Sequence, residues 1–234
     1  MAKINLIFLT AMKLINNFRK SKFLGKFFHT LDYCLQRELK NCESVLDLGC
    51  GPSSSLQYCK NIKYSIGVEA FAPYLAEARK KKIHTEYLAK KIEELDFPEN
   101  SFDAVIMIEV LEHLPEKIGA GILKKAEKWS RKKIIISSPN GFIAQKEVDC
   151  NPLQKHLSGW DYKKMKSLGF QCYGLAGFKF LWHEIESDTM ESSQLQRIRF
   201  KPKIFWLVAA SLTQIGIYYL PFYSFGLLSV KQKL

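Results

Sequence analysis

From Val45 onward, short apolar runs alternate with charged stretches of helix length. The runs predict strands over 45–48, 65–69, 87–89, 104–108, 133–137 and 171–175. Between them the polar–apolar spacing predicts a helix starting at 53–60 and further helices over 73–82, 117–130 and 161–168. Alternation at this spacing means βαβ units, hence an α/β fold with a largely parallel sheet and helices on both faces.

The two ends of the chain break the pattern. Residues 1–40 read as a basic helical region. Leu6, Leu9, Met12, Ile15 and Phe18 fall near helical spacing, with Lys13, Arg19, Lys20 and Lys22 among or beyond them. Gly25 is expected to divide this region into two helices. A basic amphipathic helix either packs on the sheet or lies on an anionic membrane. The apolar stretch 4–9 is short for a signal peptide, and Lys13 follows with no small-residue cleavage site. Near the other end, 204–220 carries only Ser211, Thr213, Gln214 and Gly216 against an apolar background, and Pro221 stops it. As a helix it would rise roughly 26 Å, against a bilayer core of about 30 Å. Three readings stay open for it: a membrane span, an interfacial helix, or a helix buried on its own sheet. Residues 225–231 read as a final strand.

Length and charge narrow the picture. The 234 residues suffice for one α/β domain with a modest addition. The net charge of +12 points to anionic surroundings (lipid head groups, a phosphorylated substrate or nucleic acid) or to a lysine-rich solvated surface. The six cysteines form no CxxC pair and no zinc-ligand spacing, so they read as reduced cytosolic thiols, mostly in the core.

The chemistry begins at Val45-Leu46-Asp47-Leu48-Gly49-Cys50-Gly51-Pro52-Ser53, a branched strand running into a glycine turn. Gly49 and Gly51 let backbone approach a ligand closely, at the strand ends where open α/β sheets bind ligands. The third glycine of a dinucleotide fingerprint is missing, since position 54 is serine. Eighteen residues past Gly51, a strand ends in Glu69, whose carboxylate can accept both hydroxyls of a ribose.

These motifs, with Leu95-Asp96-Phe97-Pro98-Glu99-Asn100-Ser101-Phe102-Asp103 and Glu109-Val110-Leu111-Glu112-His113-Leu114, resemble the class I S-adenosylmethionine-dependent methyltransferases, particularly their type 11 and type 12 domains. The resemblance covers about Ser44 to Phe180. It implies a Rossmann-like, seven-stranded, mostly parallel sheet whose last strand is antiparallel. The methyltransferase domain would then span 41–234, with 181–222 as a hydrophobic helical insertion. It also implies S-adenosyl-L-methionine as donor, held around Asp47, Gly49, Cys50, Gly51, Glu69, Ala70, Ile92 and Glu109. One position departs from the family: Lys91 stands where an acid often accepts from the adenine amino group, and a lysine cannot accept. Adenine is then expected to rest on the Ile92 backbone and apolar packing.

On the acceptor side, Glu109, Glu112 and His113 are expected to share one helix face by their i, i+3, i+4 spacing. His113 and His156 are the candidate catalytic residues, as metal-free general bases. The site is read without a resident metal. The alternative is a divalent cation held by Glu109, Glu112, His113 and His156, since ubiquinone-pathway O-methyltransferases and small-RNA 3′-end 2′-O-methyltransferases are similar in this box and use one. Ser137-Ser138-Pro139-Asn140-Gly141-Phe142, and Asn140 in particular, is expected to line the acceptor pocket. The leading functional reading is methylation of a small-molecule or lipid-linked acceptor, at oxygen, by a cytoplasmic protein in peripheral contact with an anionic membrane. The alternatives are an RNA 2′-O-methyltransferase and a non-catalytic donor-binding protein.

Overall fold

The computed structural model describes residues 22–183 and 197–233. The expectations for residues 1–21, and for the part of the insertion between 184 and 196, lie outside the described residues.

Seven strands form one sheet: β1 (Ser44–Leu48), β2 (Tyr64–Val68), β3 (Glu86–Leu88), β4 (Phe102–Ile108), β5 (Ser130–Pro139), β6 (Gln171–Phe178) and β7 (Ser224–Gln232). Their order is β3-β2-β1-β4-β5-β7-β6. The first five pair in parallel, while β7 runs antiparallel between β5 and β6. The order reverses at β1 and β4, so a crevice opens at their carboxyl ends. The strands are apolar because both faces are covered. Leu46, Leu48, Val105, Met107 and Ile136 bury on one face, with Ile122, Ala126 and Trp129 of α4 (Glu116–Trp129). Val45, Ala104, Ile106 and Ile135 bury on the other, with Cys34 and Leu35 of α2 (Leu31–Glu38). The remaining helices are α1 (Lys22–Phe28), α3 (Ala72–Lys81), α5 (Tyr162–Ser167) and α6 (Lys203–Ile217).

The structure corrects two local expectations and narrows a third. Gly25 lies inside α1 and does not break it; the break falls at His29, in the left-handed region, and at Thr30, whose hydroxyl accepts from Tyr33 N at 3.4 Å to start α2. A side chain at Gly25 would meet Tyr33 Cβ at 3.0 Å, so the glycine serves helix contact. The helix expected from 53–60 is a single 3-10 turn, Ser55–Tyr58. Serine side chains there bond locally instead of supporting an α-helix: Ser54 Oγ accepts from Leu56 N at 3.1 Å. The apolar stretch 204–220 gives the fifteen-residue α6, and no helix among the described residues is long and apolar enough to cross a membrane. α6 docks on β6 along one face. Gly174 and Gly177 make that approach possible, because a Cβ on either would lie 2.1–2.2 Å from a carbonyl oxygen of the helix. Gln214 seals the contact, donating to Gly174 O at 2.9 Å and accepting from Gly177 N at 2.8 Å.

Among the cysteines, Cys34, Cys42, Cys50 and Cys59 are buried thiols, and Cys150 is exposed.

Candidate functional site

β1 hands over to a turn in which Gly49 (φ 69°) and Gly51 (φ 56°) both take left-handed backbone. Gly49 must be glycine: a Cβ would sit 2.7 Å from Val110 Cγ2. Gly51 faces open space, with nothing within 4 Å of its missing Cβ. Cys50 N donates to Val68 O at 2.9 Å, which closes the turn against β2. Glu69 follows β2 and is buried. Its carboxylate accepts from Gly51 N at 3.1 Å and Phe71 N at 2.8 Å. Burial holds its carboxyl above the ordinary range, while those amides pull it back toward ionisation. Ala70 is exposed, and Ile92 is buried at the start of the 3-10 turn that Lys91 precedes. Lys91 makes no side-chain cap and is exposed.

Asp47 is turned inward. Its Oδ2 accepts from Ser54 Oγ at 2.5 Å and lies 2.9 Å from His84 Nε2. It therefore braces the turn from beneath and does not face the crevice freely. His84 was not singled out by its sequence context. The signal was Gly67, where a Cβ would lie 2.9 Å from the His84 ring.

Beyond β4 the expected helix face is absent. Glu109 takes left-handed backbone (φ 55°), and a 3-10 turn, Leu111–His113, follows. This leaves Glu109 outside the group that Glu112 and His113 form, although its carboxyl still interacts with that of Glu112. Glu109 accepts from the Ser137 hydroxyl. It stands deep among protein atoms yet is open to solvent, as a residue lining a cleft is. Glu112 points inward, 1% exposed, and neither carboxylate oxygen has a hydrogen-bond partner. Burial, reinforced by the charge of Glu109, holds its carboxyl well above the ordinary range.

His156 joins Glu112 and His113 from 43 positions further along the chain. One ligand atom of each lies within 4.8 Å of the others. The block His156-Leu157-Ser158-Gly159-Trp160 is pinned to the turn after β4. Leu157 N and Ser158 N donate to Glu112 O at 2.7 and 3.1 Å, and Trp160 Nε1 donates to Leu111 O at 3.1 Å. His156 Nδ1 lies 2.6 Å from Ile143 O, and His113 Nδ1 lies 3.3 Å from Lys155 O. Each carbonyl favours a proton on Nδ1 and leaves the Nε2 lone pair available. Burial lowers both imidazoles, His156 to about 4, so both are neutral near pH 7.

Two further residues border the cleft. Arg197 Nη2 donates to Gln145 Oε1 at 3.0 Å, and its charge is close enough to interact with Glu109. Neither was legible in the sequence, because the residues that meet are some fifty positions apart. Asn140 is a correction of a different kind. Its amide donates to Pro221 O, Phe222 O and Ser224 O at 2.9–3.3 Å, and its Oδ1 accepts from Tyr162 N. It ties elements together and has no free donor for an acceptor.

Residues 46–132 match the family described as a methyltransferase domain. Over those residues the chain is similar to a methyltransferase domain, and its seven-stranded sheet has the Rossmann-like fold of the class I methyltransferases. A methyltransferase of Schizosaccharomyces pombe, itself uncharacterised, is 29% identical over 125 residues. That match covers 47% of this chain and 42% of the yeast protein, so the chain spans less than half the length of this curated relative. The methyltransferase fold extends over nearly the whole chain in solved structures. A SAM-dependent methyltransferase from Archaeoglobus fulgidus aligns with TM-score 0.52 and 18% identity, over 90% of this chain and 98% of that one. The methyltransferase domain of bacterial CtHen1-C aligns with TM-score 0.53 and 17% identity, over 85% and 94%. At these identities the likeness is one of fold.

Proposed function

We propose that the chain transfers a methyl group from S-adenosylmethionine to a hydroxyl oxygen of a small-molecule or lipid-linked acceptor, beside a divalent cation seated by Glu112, His113 and His156. The observation that carries the cation is Glu112. A buried carboxylate with two unpartnered oxygens is costly unless it is protonated or paired, and two neutral imidazoles stand beside it. Oxygen and imidazole donors at this separation suit magnesium, manganese or zinc. This departs from the metal-free base expected for His113 and His156. His156, held down to about 4, is a weak base at neutral pH but a ready ligand, and burial lowers His113 in the same direction.

The donor side fits S-adenosylmethionine. Gly51 leaves a cradle with no atom within 4 Å, and Glu69 offers a carboxylate already aligned by two amides. S-adenosylmethionine supplies a methyl already activated by its sulfonium. The residues of the chain then align the partners for in-line displacement. Gly49, Cys50 and Gly51 bring backbone to the donor, and Glu69 accepts from the ribose. Glu109, open to the cleft, borders donor and acceptor alike. Glu112, His113 and His156 would hold a divalent cation, which would supply Lewis acidity to the acceptor hydroxyl, whose proton would leave to solvent through the open cleft.

Calorimetric titration tests both halves. S-adenosylhomocysteine is expected to bind wild type and to bind Glu69→Ala much more weakly, with NAD as an inactive control. Manganese titrated into chelator-treated protein is expected to bind, and Glu112→Gln to abolish that binding while leaving S-adenosylhomocysteine binding intact. Lack of manganese binding by wild type would return His113 and His156 to the metal-free reading. Lack of adenosyl-ligand binding by folded protein would leave a non-catalytic role.

A second reading, methylation of an RNA 2′-oxygen, draws on the net charge of +12 and the same three ligands.

A further inference from the structure

α6 buries Ala210, Gln214 and Ile217, packs Trp206 and Leu207 against a small cluster, and leaves one side exposed. Ile204, Phe205, Val208 and Leu212 are each 53–62% exposed. Their spacing of one, four and eight residues sets them along one side of the helix. The apolar surface does not stop there. Rings in contact run from Phe205 through Trp206, Phe200, Phe180 and Phe178 to Tyr223, with successive centroids 5.1–6.3 Å apart. Phe180 and Tyr223 are themselves more than half exposed. Monomeric soluble proteins rarely leave so continuous an apolar surface in water.

Charge says what covers it. From Arg197 to Lys233 the chain holds six lysines and arginines and no aspartate or glutamate. Three of the six, Arg199, Lys201 and Lys203, lead directly into α6, while Arg197 turns toward Gln145 and Glu109. Arg199 lies over the Phe180 ring at 5.1 Å, and Lys163 over Phe222 at 5.8 Å. Exposed aromatics fringed by one sign of charge match a bilayer surface, apolar below and anionic above. The face adjoins the acceptor side of the cleft, since Asn140, at the carboxyl end of β5, holds the Pro221 and Phe222 carbonyls.

We propose that this face docks on an anionic lipid bilayer and that the acceptor reaches the cleft from the membrane surface. The second clause rests on the methyltransferase reading; the first stands without it.

The test is co-sedimentation of the full chain with phosphatidylcholine vesicles, with and without phosphatidylglycerol, together with Trp206 emission. Trp129, Trp160 and Trp182 are buried, so Trp206 is the reporter that sits at this face. Wild type is expected to bind the anionic vesicles, with blue-shifted emission, and to release at high salt. Phe205→Glu with Val208→Glu is expected to lower partitioning by about tenfold or more. Arg199→Glu with Lys201→Glu is expected to remove the preference for phosphatidylglycerol. Both variants are expected to keep S-adenosylhomocysteine binding, which reports folding and donor-site integrity separately. Wild type that stays in the supernatant with both vesicle types at low salt would overturn the proposal. So would variants that bind as wild type does, or a concentration-dependent dimer that the Phe205 and Val208 changes dissolve, since a second copy would then cover the face. Failure of wild type to bind S-adenosylhomocysteine would sink the methyltransferase reading and leave the docking result standing.

Discussion

Glu69 holds two backbone amides before any ligand arrives, one from the glycine turn and one from the start of the next helix. Its role is thus double: it sets the turn and offers its remaining lone pairs to a ribose. Glu69→Gln is expected to weaken S-adenosylhomocysteine binding by about tenfold, since hydrogen bonds to a charged group contribute about 1.5–3 kcal/mol. The pH dependence follows from the raised carboxyl. The folded protein holds this proton more tightly than the unfolded chain. The stability Glu69 contributes is therefore fully present below the ordinary carboxylate value and is lost as pH rises through the raised one. Donor binding runs the other way, because the charged form is the better acceptor. Affinity for S-adenosylhomocysteine is expected to fall as pH drops through a value above 4.5, and to stay flat in Glu69→Gln; titrations across a pH series read this. Gly49→Ala fails for a different reason. It places Cβ 2.7 Å from Val110 in a left-handed conformation, and is expected to cost about 2–4 kcal/mol in chemical unfolding.

At the scale of elements, α3 ends on Lys82, exposed and left-handed at φ 51°. A glycine suits that position better. Lys82→Gly is expected to raise stability by about 0.5–1 kcal/mol in thermal unfolding, with donor binding unchanged. The central strands β1, β2 and β4 were legible because they are buried on both faces and read as short apolar runs, whereas β3 and β6 are the half-exposed edges. The glycine turn and Glu69 were legible because close backbone approach and a strand-end acid leave marks in the sequence itself. The turn after β4 was not. Helical spacing at Glu109, Glu112 and His113 describes a helix that does not form, because Val110 packs under Gly49 and Glu109 adopts a backbone that local sequence disfavours. The cluster is completed instead by His156, whose place depends on Trp160 fitting against Gly119, where a Cβ would lie 2.6 Å from the ring. Such fits between distant segments have no periodicity to read.

On the scale of the molecule, the 221–224 segment is tied to the sheet through one side chain. Asn140 gives both amide protons to carbonyls there and accepts from α5. Asn140→Ala removes the partner of the buried Ser224 carbonyl and of Tyr162 N, while Pro221 O keeps the Ser224 hydroxyl, and is expected to cost about 1–3 kcal/mol, read as a lower midpoint in urea. Because the tie joins β5, α5 and the start of β7, the loss is expected to be global, with one cooperative transition retained at the lower midpoint.

The position of β7 also fixes when the protein can finish folding. A ribosome makes Ser224–Gln232 after every other strand, yet that strand lies between β5 and β6 and is the one to which β6 pairs. Until it emerges, the growing chain carries an open β5 edge and a β6 with no neighbour. Of these seven strands β7 thus enters the sheet last, and any pause before residue 224 leaves two unpaired edges able to recruit strands from other chains.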